Sequence, residues 1–243
     1  PTPASLQARA RGALLGLAVG DALGTTLEFQ PPGTFEHITD LVGGGPFDLR
    51  PGEWTDDTAM ALALGSSLAE LGAFDPADQM RRYLKWYRQG AYASNGRCFD
   101  VGNTVSQALW RFEQDGQAFA GSTDPQSAGN GSLMRLAPIP LAAYPNARLA
   151  IELAAAMSRT THGAAEAMDA CRFYAGLIVA ALQGQSRDVL LTPHFTPAPG
   201  LWEERPLAAK VAEVAGGSYR RKEPPEIVGS GYVVKSLEAA LWA

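Results

Sequence analysis

Apolar residues recur at intervals of three and four along almost the whole chain, and alternating strand patterns are scarce. That spacing leaves few options besides a helical protein. Met60, Leu64, Leu68 and Leu71 make one stripe. Met80, Leu84 and Tyr87 make another, after an Asp75-Pro76 start that puts proline in the first helical turn. Val105, Leu109 and Phe112 follow Asn103, a good cap residue. Cys171, Tyr174, Ile178 and Leu182 line a helix ended by Gly184, and Val234, Leu237 and Leu241 belong to a last one. Loops rich in Gly, Pro, Ser and Asn lie between, at 30–54, 90–103, 115–138, 192–206 and 216–231. Several exceed the usual connection length, which in a compact domain marks functional loops. The expectation is all-α: a single compact multi-helix domain over 1–243, with long functional loops.

Composition limits what such a domain does. With 46% hydrophobic residues in 243, the chain can bury a sizeable core. Its net charge is −5, and basic residues cluster no further than Arg220-Arg221-Lys222, so no nucleic-acid partner is expected. The apolar run Ala13 to Val19 is too short to span a bilayer, so no membrane partner is expected either. Two cysteines, Cys98 and Cys171, without metal-ligand spacing, point to a reducing compartment and a cytoplasmic protein.

Gly12, Gly16, Gly20 and Gly24 repeat every four residues and fall near one face of the first helix. Each costs about 1 kcal/mol against Ala there. Tight helix packing is the expectation for Gly12 and Gly16. Gly20 and Gly24 flank Asp21 and precede Glu28, which suits a functional turn.

The stretch Glu53 to Leu62, EWTDDTAMAL, places Thr55, Asp56 and Asp57 at the front of an apolar helix. One reading is a cap: Thr55 closes the helix start, and the helix dipole favours both acids. The other is a metal site. Two adjacent carboxylates and a hydroxyl offer hard oxygen donors, which suit Mg²⁺, Mn²⁺ or Ca²⁺ better than zinc. Glu28, Asp100 and Asn103 supply polar companions on other loops. The loop Ser127 to Arg135, SAGNGSLMR, can present backbone amides to phosphate, without the lysine or spacing of a Walker loop. His162 sits at a helix-to-loop junction, where a dipole partner is the commoner role. Site-forming residues on five loops of an apolar helical chain suggest a site built at helix ends.

The ordered segments RGALLGLAVGDALGTTLEF, WTDDTAMALAL, RCFDVGNT, SAGNGSLMRLAPIPL and SRTTHGAAEAMDAC resemble the ADP-ribosylglycohydrolase family, of the dinitrogenase-reductase-activating and ADP-ribosyl-acceptor hydrolase type. The resemblance covers nearly the whole chain. It implies an all-α fold with a binuclear Mg²⁺ (or Mn²⁺) centre. It implies Thr55, Asp56 and Asp57 as metal ligands, and Glu28 and Asp100 as catalytic groups. Asn103 is implied near the ribose. Gly129, Asn130, Gly131, Ser132 and Met134, in the loop that ends at Arg135, are implied around the ADP-ribose phosphates, and His162 on the substrate side.

One departure stands out. The family closes its metal site with a C-terminal D-x-D-T motif, and no D-x-D occurs in this chain. The chain is then either a domain incomplete at the C-terminus, the favoured expectation, or a relative that lost its tail. The metal centre would be partial or empty.

The implied activity is hydrolysis of the glycosidic bond between ADP-ribose and an acceptor, on a small molecule or an ADP-ribosylated protein. The alternatives are a catalytically impaired ADP-ribose-binding relative and a metal-dependent nucleotide-diphosphate phosphohydrolase. Acceptor choice would rest on loops 30–54 and 192–225.

Overall fold

A computed structural model describes residues 4–243. The helices in chain order are α1 (Leu6–Gly24), α2 (Asp56–Leu71), α3 (Pro76–Gln89), α4 (Asn103–Asp115), α5 (Pro138–Ala143), α6 (Ala147–Arg159), α7 (Ala165–Leu182), α8 (Arg187–Leu190), α9 (Leu201–Glu204), α10 (Ala209–Ala215) and α11 (Val233–Trp242). Among the described residues, β structure is confined to three isolated bridges, so the all-α expectation holds. Short 3₁₀ turns interrupt several of the long loops, at Gly45–Phe47, Pro125–Ser127 and Ser218–Arg221.

The core has two main parts. Helices α6 and α7 pack along each other and gather α5, α10 and α11 around Ala154, Met157, Cys171, Phe173, Val211 and Leu237. Helices α2, α3 and α4 bury Met60, Met80, Tyr83, Trp86, Leu109 and Phe112. Leu64 and Leu68 on α2 belong to the first part and Met60 to the second, so α2 joins the two. Each fully buried side chain of this size contributes about 1.5–3 kcal/mol. That fixes α2, and with it Thr55 to Asp57, against both halves.

Three stripes shift from their expected positions. On α3 the buried face runs Met80–Tyr83–Trp86, and Leu84 and Tyr87 lie at its edge. On α7 the middle of the expected stripe, Tyr174 and Ile178, is half-buried; Phe173, Leu177 and Val179 are buried instead. Leu71 is 49% exposed at the end of α2. Both α3 and α7 touch more than one neighbour, so their apolar faces are wider than one stripe.

The largest difference concerns α1. Its glycine face is open: a Cβ added at Gly12, Gly16, Gly20 or Gly24 meets nothing within 4 Å. The expected tight packing at Gly12 and Gly16 is absent among the described residues. The face instead floors a groove of about 500 Å³, walled by Tyr174 and Ile178 of α7 and Leu237 of α11. Among the described residues, no helix is long and apolar enough to cross a membrane. Both cysteines are free, Cys171 buried and Cys98 half-buried.

Candidate active site

The end of α1, the start of α2 and the loop before α4 meet around a cleft of about 430 Å³. Five carboxylates face it: Asp21, Glu28, Asp56, Asp57 and Asp100. Thr55, Asn130 and Met134 complete the expected residues found there, and among the described residues no lysine or arginine lines it. Sequence positions from 21 to 134 thus line one cleft, because four chain segments meet there.

Asp21 organises the start of α2. Its carboxylate accepts the Thr55 amide at 3.1 Å, the Thr55 hydroxyl at 2.7 Å, the Thr58 amide at 3.0 Å and the Thr58 hydroxyl at 2.6 Å. Thr55 holds the N-cap position, but its hydroxyl makes no cap bond to its own helix. An acid from α1 caps α2 in its place. Asn103 likewise is not the cap of α4: Gly102 is, and Asn103 is the exposed first residue of the helix, beside the cleft-lining Gly102.

Two segments enter the cleft with unusual backbone. Glu28 follows the 3₁₀ turn Thr25–Leu27, and Asp100 is held at φ 54°. A non-glycine residue in that left-handed region is uncommon and costs about 1–3 kcal/mol, so surrounding structure must impose it.

The electrostatics follow from burial and like charge. Burial, then Asp100, Asp57 and Asp21, push the Glu28 carboxyl up to about 7. Burial, then Asp21 and Asp100, push Asp57 up to about 7. Asp56 rises well above the ordinary range, through burial first and Asp57 second. Asp100 rises through burial and Asp21. Crowded carboxylates with no lining cation form an all-oxygen donor set, which matches a hard divalent cation. Among the described residues, no three acidic, His or Cys side chains already form a metal-holding group. The donor chemistry fits a metal; the side chains are not gathered around one point.

The loop 127–135 contributes Asn130 and Met134 to the cleft lining. Asn130 donates from its amide to the Gly231 carbonyl (2.9 Å) and from its side chain to Ser236 Oγ (3.0 Å), which ties the loop to α11. The Gly129 amide is engaged by the Ser127 carbonyl. Among the described residues, the amides of Gly131 and Ser132 donate to no backbone carbonyl. Arg135, fully buried, donates to the Gly131 carbonyl (3.0 Å) and Thr161 Oγ1 (2.6 Å) and stacks on Tyr83.

Ser132 and His162 lie beneath the loop and do not line the cleft. The Ser132 hydroxyl is buried and accepts from Ser158 Oγ at 2.8 Å. The His162 ring is 2% exposed, with Nδ1 2.8 Å from Thr161 Oγ1. Burial, then the Arg135 charge, lowers its pKa to about 3, so the ring is neutral at pH 7. Gly129 and Gly131 wrap this ring: a Cβ at Gly131 would stand 2.8 Å from its Cε1. Asp21 is the residue that motif reading left out of the site. Its signal was one acid interrupting the glycine register of α1.

Similarity to known proteins gives the family. A family model described as ADP-ribosylglycohydrolase matches residues 2–243, and the chain belongs to that family. It is 42% identical to the ADP-ribosylarginine hydrolase Tri1 of Serratia proteamaculans over 97% of this chain and 62% of that protein. It is 43% identical to Tri1 of Pseudomonas putida, over 100% of this chain and 62% of that one. The ADP-ribosyl-[dinitrogen reductase] glycohydrolase of Rhodospirillum rubrum is 42% identical over 58% of this chain and 47% of that protein. A solved structure titled ADP-ribosylglycohydrolase-related protein complex matches with TM-score 0.81 and 43% identity, over 98% of this chain and 75% of the other. The chain therefore spans less than two thirds of the length of the curated relatives it matches.

Proposed function

We propose that the protein hydrolyses the glycosidic bond between ADP-ribose and an acceptor, with arginine as that acceptor. The observation that carries the reading is the cleft itself, where five carboxylates converge with Asn130 and Met134 of the loop 127–135. Cleaving such a bond builds positive charge on the ribose, which nearby carboxylates offset. Arginine is chosen because the two Tri1 relatives are named for it.

Glu28 is the group that takes the proton from the attacking water. Its carboxyl titrates near 7, close to where a general base works best. Asp100 stands next to it as the second carboxylate. The Gly131 and Ser132 amides, with the Asn130 side chain, receive the diphosphate. Asn103, the exposed first residue of α4, meets the ribose. Thr55, Asp56 and Asp57 would hold Mg²⁺ or Mn²⁺. Bound there, such an ion would supply charge neutralisation among the acids. Ser132 Oγ and His162 act by holding the loop in shape.

A second reading is an ADP-ribose-binding relative with little turnover. The observation that favours it is that, among the described residues, no three side chains already form a metal group. Chromatography of products after incubation with ADP-ribosylarginine separates the readings. Free ADP-ribose supports hydrolysis at the acceptor bond. AMP or phosphate would point to the phosphohydrolase, and unchanged substrate with measurable binding would point to the binding relative.

A further inference from the structure

Beside the residues that line the acid cleft, three phenylalanines form an aromatic rim that none of the roles above uses; the rings themselves are not in the cleft lining. Phe29 directly follows Glu28, and Phe99 directly precedes Asp100. Phe47, from the loop before α2, stands between them. Its ring centroid is 6.4 Å from that of Phe29, edge-on at 71°, and 5.3 Å from that of Phe99. Phe47 and Phe99 are half-buried, but Phe29 is 76% exposed.

Nothing local favours that arrangement. Phe29 sits at φ 64°, a conformation that is an outlier for a bulky residue. Leaving a phenyl ring in water also forgoes its burial energy. The rim is nevertheless held in place. Thr26 Oγ1 donates to the Gly43 carbonyl at 3.1 Å, and a Cβ at Gly45 would stand 2.6 Å from the Thr25 carbonyl. The loop bearing Phe47 is therefore clamped onto the turn bearing Phe29.

We infer that Phe29, backed by Phe47 and Phe99, recognises the guanidinium group of the acceptor. An aromatic face beside carboxylates is what a flat, weakly hydrated cation requires: rings to stack on and charge to pair with. The lining has acids and no basic residue, so it favours a cationic acceptor and disfavours an anionic one. The position is also right. Phe29 and Phe99 are chain neighbours of two cleft-lining acids, which keeps the rings within one residue of the cleft edge. This assignment rests on the hydrolase reading and gives it a specificity element.

The test titrates agmatine, a small guanidinium amine, into the protein saturated with ADP-ribose, by calorimetry. Its neutral urea counterpart, N-carbamoylputrescine, is the control. Parent protein should bind agmatine and discriminate against the urea. Phe29→Leu, which keeps apolar bulk without a ring face, should weaken agmatine roughly tenfold, the scale of a partly desolvated cation–π contact. Phe29→Trp should retain it, and ADP-ribose affinity should stay the same in both variants. Equal agmatine affinity in parent and Phe29→Leu overturns the inference, as does an equal loss of ADP-ribose affinity, which would place the ring on the nucleotide. Failure of ADP-ribose itself to bind the parent would overturn the hydrolase reading instead.

Discussion

Replacing Asp21 by alanine removes the acceptor for four donors at the start of α2. The Thr55 hydroxyl has a second acceptor nearby, Asp57 Oδ2 at 3.4 Å, and recovers part of its loss. The Thr55 and Thr58 amides belong to the first turn, where no carbonyl of the helix can receive them. Losing a helix cap costs about 1 kcal/mol, and each buried donor left unpaired adds about 1–3 kcal/mol. Removing one charge from a crowd of acids returns some of that. The net loss is about 2–4 kcal/mol, which in a chain of this size lowers Tm by roughly 5–15 °C. Asn, which keeps one acceptor oxygen and also removes the charge, should lose about 1 kcal/mol. Thermal melts followed by circular dichroism give the order parent, then Asp21→Asn, then Asp21→Ala. An Asp21→Ala protein as stable as the parent would refute the capping role and show that repulsion among the acids outweighs it.

Other expectations follow from the same geometry. Gly16→Ala should raise the stability of the 243-residue chain by about 1 kcal/mol, because the new methyl meets nothing and helix propensity improves; a lower Tm would mean that the groove over α1 is filled. Gly131→Ala should cost about 1–3 kcal/mol and weaken ADP-ribose binding, since its methyl would stand 2.8 Å from the His162 ring, as calorimetry and melting would show. Without divalent cations, stability should fall as pH rises from about 4.5 to about 7 and level off above that. Glu28 and Asp57 hold protons up to about pH 7 in the folded chain, whereas the unfolded chain releases them near 4, so folding binds protons across that window. His162, depressed to about 3, opposes this only below about 6.5, where the unfolded ring charges. With two raised acids against one depressed ring, melts in EDTA should slope downward from about pH 4.5 to 7 and flatten with added Mg²⁺; a flat EDTA profile would show that the carboxylates ionise freely.

How much of this was legible before the structure differs by level. The all-α class was plain from spacing, and stripes such as Val105, Leu109 and Phe112 landed on the buried face. The stripes on α3 and α7 were misplaced because those helices bury more than one face, and a single period cannot show which neighbour dominates. Glycines on a common face looked like a packing surface, yet spacing carries no information on whether a partner is present. Motif reading brought Glu28, Thr55, Asp56, Asp57, Asp100, Asn130 and Met134 to one cleft. It could not separate residues that line a loop from those that hold it up, which is why Ser132 and His162 turned out to lie underneath. The capping role of Asp21 was hidden because it acts across 34 residues, beyond any local capping rule.

The most direct test of the central claim compares parent and Glu28→Gln protein on ADP-ribosylarginine with Mg²⁺ present, measuring both substrate affinity and release of free ADP-ribose. The account predicts that Glu28→Gln binds substrate about as well as the parent and releases at least about a hundredfold less ADP-ribose, the scale of losing a general base. Turnover in Glu28→Gln equal to the parent would contradict it.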